Sequence, residues 1–125
     1  MKKHKKEVDS QKIAEVIVQG IQEKKGKDIV SLDLRKISSS VSDYFIICHA
    51  DSSTQVRAIA DSVEHEMDKV LNENLWHKEG QGNAEWILLD YVSVVVHIFK
   101  TDKREFYGVE ELWGDAQSQR FESAS

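Results

Sequence analysis

Two neighbouring stretches constrain this chain more than any other part of it. Trp86-Ile87-Leu88-Leu89-Asp90 and Val94-Val95-Val96-His97-Ile98-Phe99 are separated only by Tyr91, Val92 and Ser93. Both are short runs dominated by branched and aromatic residues, which fit a pleated sheet, and the tight connection pairs them antiparallel. Side chains alternate across a strand. Trp86, Leu88 and Asp90 therefore share one face and Ile87 and Leu89 the other. In the second strand Val95, His97 and Phe99 oppose Val94, Val96 and Ile98. Both faces of the pair are apolar, so both must be shielded from water. Helices of the same chain can shield one. The other needs cover from this chain or from another. A face that ends in Asp90 is not wholly dry core, and Trp86 on it reads either as cover for a sheet edge or as a partly exposed anchor, the residue type favoured at interaction hot spots.

The rest of the chain supplies the covering elements. A first helix starts at Asp9 or Ser10, either able to cap a first turn, and carries Ile13, Val16, Ile17 and Ile21 at helical spacing. Lys24, Lys25 and Gly26 suit its end. Asp28 to Leu34 reads as a strand. Ser38 to Ser42 is a polar loop, and Tyr44 to Cys48 is a strand apolar enough to be buried on both faces. After an N-cap at Asp51, Ser52 or Ser53, a second helix shows Val56, Ile59, Ala60, Val63, Met67, Val70 and Leu71, and Asn72 to Asn74 ends it. Leu75 to Lys78 is a short edge strand. Thr101 or Asp102 caps a last short helix through about Glu111, on which Phe106, Val109, Leu112 and Trp113 form an apolar stripe beside Tyr107, Glu110 and Glu111. The expected fold is α/β, a mixed five-stranded sheet packed with helices. Residues 1–8 read as a flexible basic tail, 9–116 as a single domain and 117–125 as a second flexible tail.

At 125 residues and 40% hydrophobic content the chain buries a core without disulfides or metal. It has one cysteine, Cys48, and no apolar run long enough for a bilayer or a secretory signal, so cytoplasm is expected. The net charge of −5 disfavours dedicated nucleic-acid binding and favours a basic protein partner. The run Lys2 to Lys6 allows at most a peripheral contact with RNA.

Candidate chemistry is thin. Gly80-x-Gly82 leads into a strand, whereas a phosphate cradle needs a helix N-terminus. The five histidines are scattered, without the three or four converging ligands of a zinc site, so neither metal nor cofactor is expected. Cys48, His97 and Asp90 are the residues from which a thiol hydrolase would be assembled. No cluster of cations or helix N-terminus marks Cys48 as an activated thiol.

The order of several short motifs resembles that of the ribosomal silencing factor family, also called RsfS or Iojap. They are Asp43-Tyr44-Phe45-Ile46-Ile47-Cys48, Ser52-Ser53, Ala58-Ile59-Ala60-Asp61, Glu79-Gly80, Trp86 to Asp90, Val95-Val96-His97, Arg104, and Tyr107-Gly108-Val109-Glu110-Glu111-Leu112-Trp113. The resemblance covers the chain from the first helix to Ala116. It implies a nucleotidyltransferase-like α/β fold without the catalytic residues. It also implies a non-enzymatic protein that binds large-subunit ribosomal protein uL-fourteen, blocks joining of the large and small subunits and represses translation, and is a homodimer when free. Rival readings are a large-subunit assembly factor without silencing, and an enzyme of the nucleotidyltransferase or thiol type. On the matching motifs, partner-binding residues are expected at Trp86, Leu88, Asp90, Tyr107, Glu110 and His97. The chain departs from the family at its hairpin, commonly Asp-Tyr-Gly-Asp and here Asp90-Tyr91-Val92-Ser93. Val resists the positive φ that a Gly turn permits, so a different hairpin geometry is expected.

Overall fold

A computed structural model describes residues 8–124. The basic tail expected before the first helix lies outside these residues except for Val8, which packs partly buried against the core. In chain order the elements are α1 (Ser10–Glu23), β1 (Lys27–Asp33), β2 (Tyr44–Ala50), α2 (Ser53–Glu66) with a π-helical turn (Met67–Leu71), β3 (His77–Glu79), β4 (Trp86–Asp90), β5 (Val94–Lys100), α3 (Thr101–Tyr107), α4 (Val109–Leu112) and β6 (Gln117–Phe121).

The sheet runs β3-β4-β5-β2-β1-β6. All neighbours are antiparallel except the central pair β2 and β5, which is parallel. The sheet has six strands where five were expected. The sixth is the segment 117–121, read from sequence as the start of a frayed tail. Its run Gln117-Ser118-Gln119-Arg120 carries no apolar alternation because an edge strand against β1 leaves both faces of it wet, and only Phe121 reaches the core.

α1 and α2 cover one face, called here the inner face. Asp9 caps α1 by accepting the Gln11 N–H, and Ser52 caps α2 by accepting the Gln55 N–H. Ile13, Val16, Ile17 and Ile21 of α1 and Val56, Ile59, Ala60 and Val63 of α2 meet Ile46, Cys48, Ile87, Leu89, Val94, Val96 and Ile98 of the strands. Each such aliphatic side chain contributes about 1.5–3 kcal/mol by leaving water, so this layer is the main source of stability. At the end of α1 the left-handed conformation falls on Lys25 (φ +61), not on the expected Gly26. Gly26 is needed instead for closeness, because a Cβ there would lie 2.3 Å from the Ile21 side chain.

The last helical segment differs from the expected single amphipathic helix. Gly108 takes φ +60 and breaks it into α3 and α4. Of the expected stripe, Val109 is buried and Trp113 partly so, while Phe106 and Leu112 are 74% and 77% exposed. A break in the middle of the segment turns the two halves differently, so one helical period cannot describe both.

Candidate protein interface

The second face of the sheet, the outer face, is laid out in rows by the strand register. Trp86 lies opposite Phe99, Leu88 opposite His97, and Asp90 opposite Val95. β2 continues these rows with His49, Ile47 and Phe45, and β1 with Val30 and Leu32. The alternation expected for β4 holds. Ile87 and Leu89 are fully buried, and Trp86, Leu88 and Asp90 are half-buried. α3 and α4 cover this face only in part. Val109 and Trp113 pack with Val30, Leu32, Leu34, Ile47 and Phe99, with Phe45 and Trp86 at the margin.

Trp86 is held from three sides. Its ring lies 5.0 Å from Phe99 and 4.7 Å from Tyr107, and its indole N–H donates to His97 Nδ1 at 3.1 Å. Since the indole only donates, the His97 proton sits on Nε2. That atom is buried with no hydrogen-bond partner among the described residues. The imidazole lies 4.6 Å from the Phe45 ring and is 4% exposed. Burial pushes its pKa down to about 4, so it is neutral at pH 7. His97 therefore supports the face from beneath. Gly80 sets the approach of the β3–β4 connection to Trp86. Its φ is +89, and a Cβ there would lie 1.9 Å from the Trp86 carbonyl oxygen.

Asp90 and Glu110, both expected to meet a partner, have local duties. Asp90 Oδ1 accepts the Val92 N–H at 2.7 Å. The Ser93 N–H donates to the Tyr91 carbonyl at 2.9 Å, closing a three-residue turn over Val92. Val92 takes φ +74, so the hairpin keeps the positive φ of a Gly turn despite its β-branched residue. The Ser42 hydroxyl donates to the Val92 carbonyl at 3.0 Å, and these two side chains hold the turn in place. Glu110 receives Arg104 Nε and Nη2 on its two carboxylate oxygens at 2.9 and 3.1 Å. The guanidinium holds this carboxyl below the usual carboxylate range. Tyr107 is not set apart beside an acidic edge. It packs tilted against Trp86 and carries Phe106 edge-on at 5.0 Å, with Lys103 over the Phe106 ring.

Sequence reading did not single out Phe106 and Leu112 as surface residues, because it grouped them with Val109 and Trp113 in one apolar stripe. Gly108 in the middle of so short a helix was the available signal. It also missed a second exposed patch at the hairpin end, where Val41, Trp76 and Val92 line a shallow cavity of about 370 Å³ beside Asp90. These three residues are far apart in sequence, and no local pattern joins them.

The thiol combination does not assemble. Cys48 lies opposite Ile98 and faces the inner core, whereas His97 lies opposite Ile47 on the outer face. The sheet separates them. Cys48 is fully buried, and burial pushes its thiol up to about 12, the reverse of activation. Among the described residues no cluster of three or more His, Cys, Asp or Glu is placed to hold a metal ion, and no helix is long and apolar enough to cross a membrane.

A family model described as "Ribosomal silencing factor during starvation" matches residues 7–125. The chain is 38% identical over 118 residues to the ribosomal silencing factor RsfS of Halalkalibacterium halodurans, a match covering 92% of this chain and 97% of that one. It is 38% identical over 109 residues to that of Bacillus subtilis, covering 87% and 91%. The crystal structure of a Chromobacterium violaceum protein superimposes with a TM-score of 0.81 at 31% identity, covering 94% of this chain and 97% of that chain.

Proposed function

This chain belongs to the ribosomal silencing factor family, and from that membership we propose that it binds large-subunit ribosomal protein uL-fourteen and sterically blocks joining of the two ribosomal subunits. Its place of action is the cytoplasm, and the free protein is a homodimer. The observation that carries this reading is the outer face. It presents half-exposed Trp86 and Leu88 beside exposed Tyr107 and Phe106, and its buried histidine is neutral and serves packing. Such a surface suits docking, since aromatic anchors at the centre of an interface supply most of its affinity. The net charge of −5 favours encounter with a basic ribosomal partner.

The test is sedimentation of purified small and large subunits with increasing amounts of the protein. The expected outcome is loss of the joined peak, with the protein travelling on the large subunit. Leu88→Ala and Phe106→Ala leave the fold intact, and each weakens binding by about 1–2 kcal/mol, roughly five- to thirtyfold. Binding to the large subunit with joined ribosomes persisting at saturation would favour an assembly factor over a blocker. No binding to the large subunit at all would end the proposal.

A further inference from the structure

Beyond the packing of Val109 and Trp113 and the bonds from the Thr101 hydroxyl to the Ala50 carbonyl and Asp51, α3 and α4 have little of their own to hold them in place. They span seven and four residues, and neither has a side-chain cap. α3 buries no residue, and α4 buries only Val109. Helices this short do not persist on backbone hydrogen bonding alone. Yet this segment carries Phe106, Tyr107 and Leu112 to the surface and packs the Tyr107 ring, tilted, against Trp86.

One side chain joins α3 to α4, β1 and β2. Arg104, on α3, donates through Nε and Nη2 to both carboxylate oxygens of Glu110 on α4. Its Nη1 donates to the Asp28 carbonyl at 2.7 Å and to His49 Nδ1 at 2.9 Å. Asp28 is where β1 bulges against β2, with φ +47, and His49 lies on β2. The Arg104 side chain is 11% exposed, so its charge is largely desolvated and depends on these partners. A planar fork meets both oxygens of a carboxylate and leaves a nitrogen free for the strands, which an ammonium cannot match.

We propose that Arg104 is the positioning residue of the docking surface: by joining Glu110, the Asp28 carbonyl and His49 it holds α3 and α4 against the strands, so that Tyr107 and Phe106 are preset beside Trp86. The proposal rests on the reading of this surface as the one that meets the ribosome. Glu110 then acts through Arg104 and does not touch the partner. A preset segment binds more tightly because its ordering is complete before encounter.

The experiment compares wild type, Arg104→Ala, Glu110→Ala, the double variant and Arg104→Lys. Amide hydrogen exchange is measured on the free protein, and affinity on purified large subunits. In Arg104→Ala the amides of residues 101–113 are expected to exchange faster, while those of Ile46 and Ile98 keep their protection. Each alanine variant is expected to bind about tenfold more weakly or worse, with the double variant no weaker than either single one. Arg104→Lys keeps the charge but not the fork, and is expected to remain close to Arg104→Ala. If Glu110→Ala weakens binding by its full factor in the Arg104→Ala background, Glu110 is a direct contact and the positioning role is wrong. Unchanged exchange over 101–113, or wild-type behaviour of Arg104→Lys, also overturns it. Should Arg104→Ala not fold, Glu110→Gln breaks the charged pair at a more exposed side chain, and the same two readouts decide. If wild type itself does not bind the large subunit, the proposed function fails, while the exchange of the free protein still tests the tie.

Discussion

The inner and outer faces of the sheet are made by alternate residues of the same strands, yet they are finished in opposite ways. The inner face meets two capped helices of 14 residues each, whose apolar stripes close over it completely. The outer face meets two short helices joined through a left-handed glycine, packed through Val109 and Trp113 and tied to the strands by Arg104 and Thr101. Its margin is aromatic, half-exposed and tied together by ring contacts and a single indole–imidazole hydrogen bond. The inner face is saturated with aliphatic contact and has no capacity left for a partner. The outer face keeps large side chains at the surface, where a partner can still cover them. Under the proposed function, stability and binding are thus separated by the two-residue period of the strand.

The sharpest way to break this division is to cut one residue from each face of the same hairpin. Ile98→Ala removes a fully buried side chain from beneath α1 and α2 and is expected to cost about 3–4 kcal/mol, seen as a lower denaturant midpoint. Trp86→Ala is expected to cost about 2 kcal/mol of stability, because part of the ring is already wet, while weakening subunit binding at least as strongly. Equal loss of stability from both, without a separate loss of binding for Trp86→Ala, would erase the distinction between the faces.

A titration sharpens it. The unfolded chain takes up a proton at His97 near pH 6.5, whereas the folded protein does so only at about pH 4. Between these values the unfolded state binds more protons, so the contribution is complete above pH 6.5 and is lost as the pH falls toward 4. The loss is on the order of 3 kcal/mol. His97→Asn keeps an acceptor near Trp86 and removes the titration, and its stability is expected to depend less on pH over this window in urea melts. An unaltered pH dependence in that variant would mean that His97 is not held neutral by the outer face.

The smallest effect is expected at the hairpin tip. Val92→Gly relieves the positive φ but gives the unfolded chain more freedom, so a net gain of no more than about 1 kcal/mol is expected in thermal melts. A marked loss of stability would show that the Val92 side chain does more than tolerate the turn.

Much of the inner face was legible in the residues. The caps at Asp9 and Ser52, the stripes of α1 and α2 and the alternation of Trp86 to Asp90 are local signals, set by neighbours three or four positions apart or by every second residue. The outer face was legible in its strands but not in its cover. The sixth strand escaped notice because Gln117 to Arg120 are exposed on both sides and form a strand only by pairing with β1. Phe106 and Leu112 were grouped with Val109 and Trp113 in one apolar stripe because a helical period was carried across Gly108. Glu110 looked like a free acid, since the Arg104 that occupies it also serves residues 28 and 49.

By itself the amino-acid order determined the helices α1 and α2 and the strands β1, β2, β4 and β5, which residues of β4 and β5 point to opposite sides, and that both sides of the β4–β5 hairpin had to be covered. These follow from local sterics and from the periods of helix and strand. The tertiary structure alone decided that Cys48 and His97 lie on opposite sides of the sheet. It also drew Arg104, Glu110, Asp28 and His49 into one knot, and left Phe106 and Leu112 at the surface while burying His97. Those outcomes depend on register and packing between segments distant in the chain, where the energy of an arrangement exists only once the partners have met.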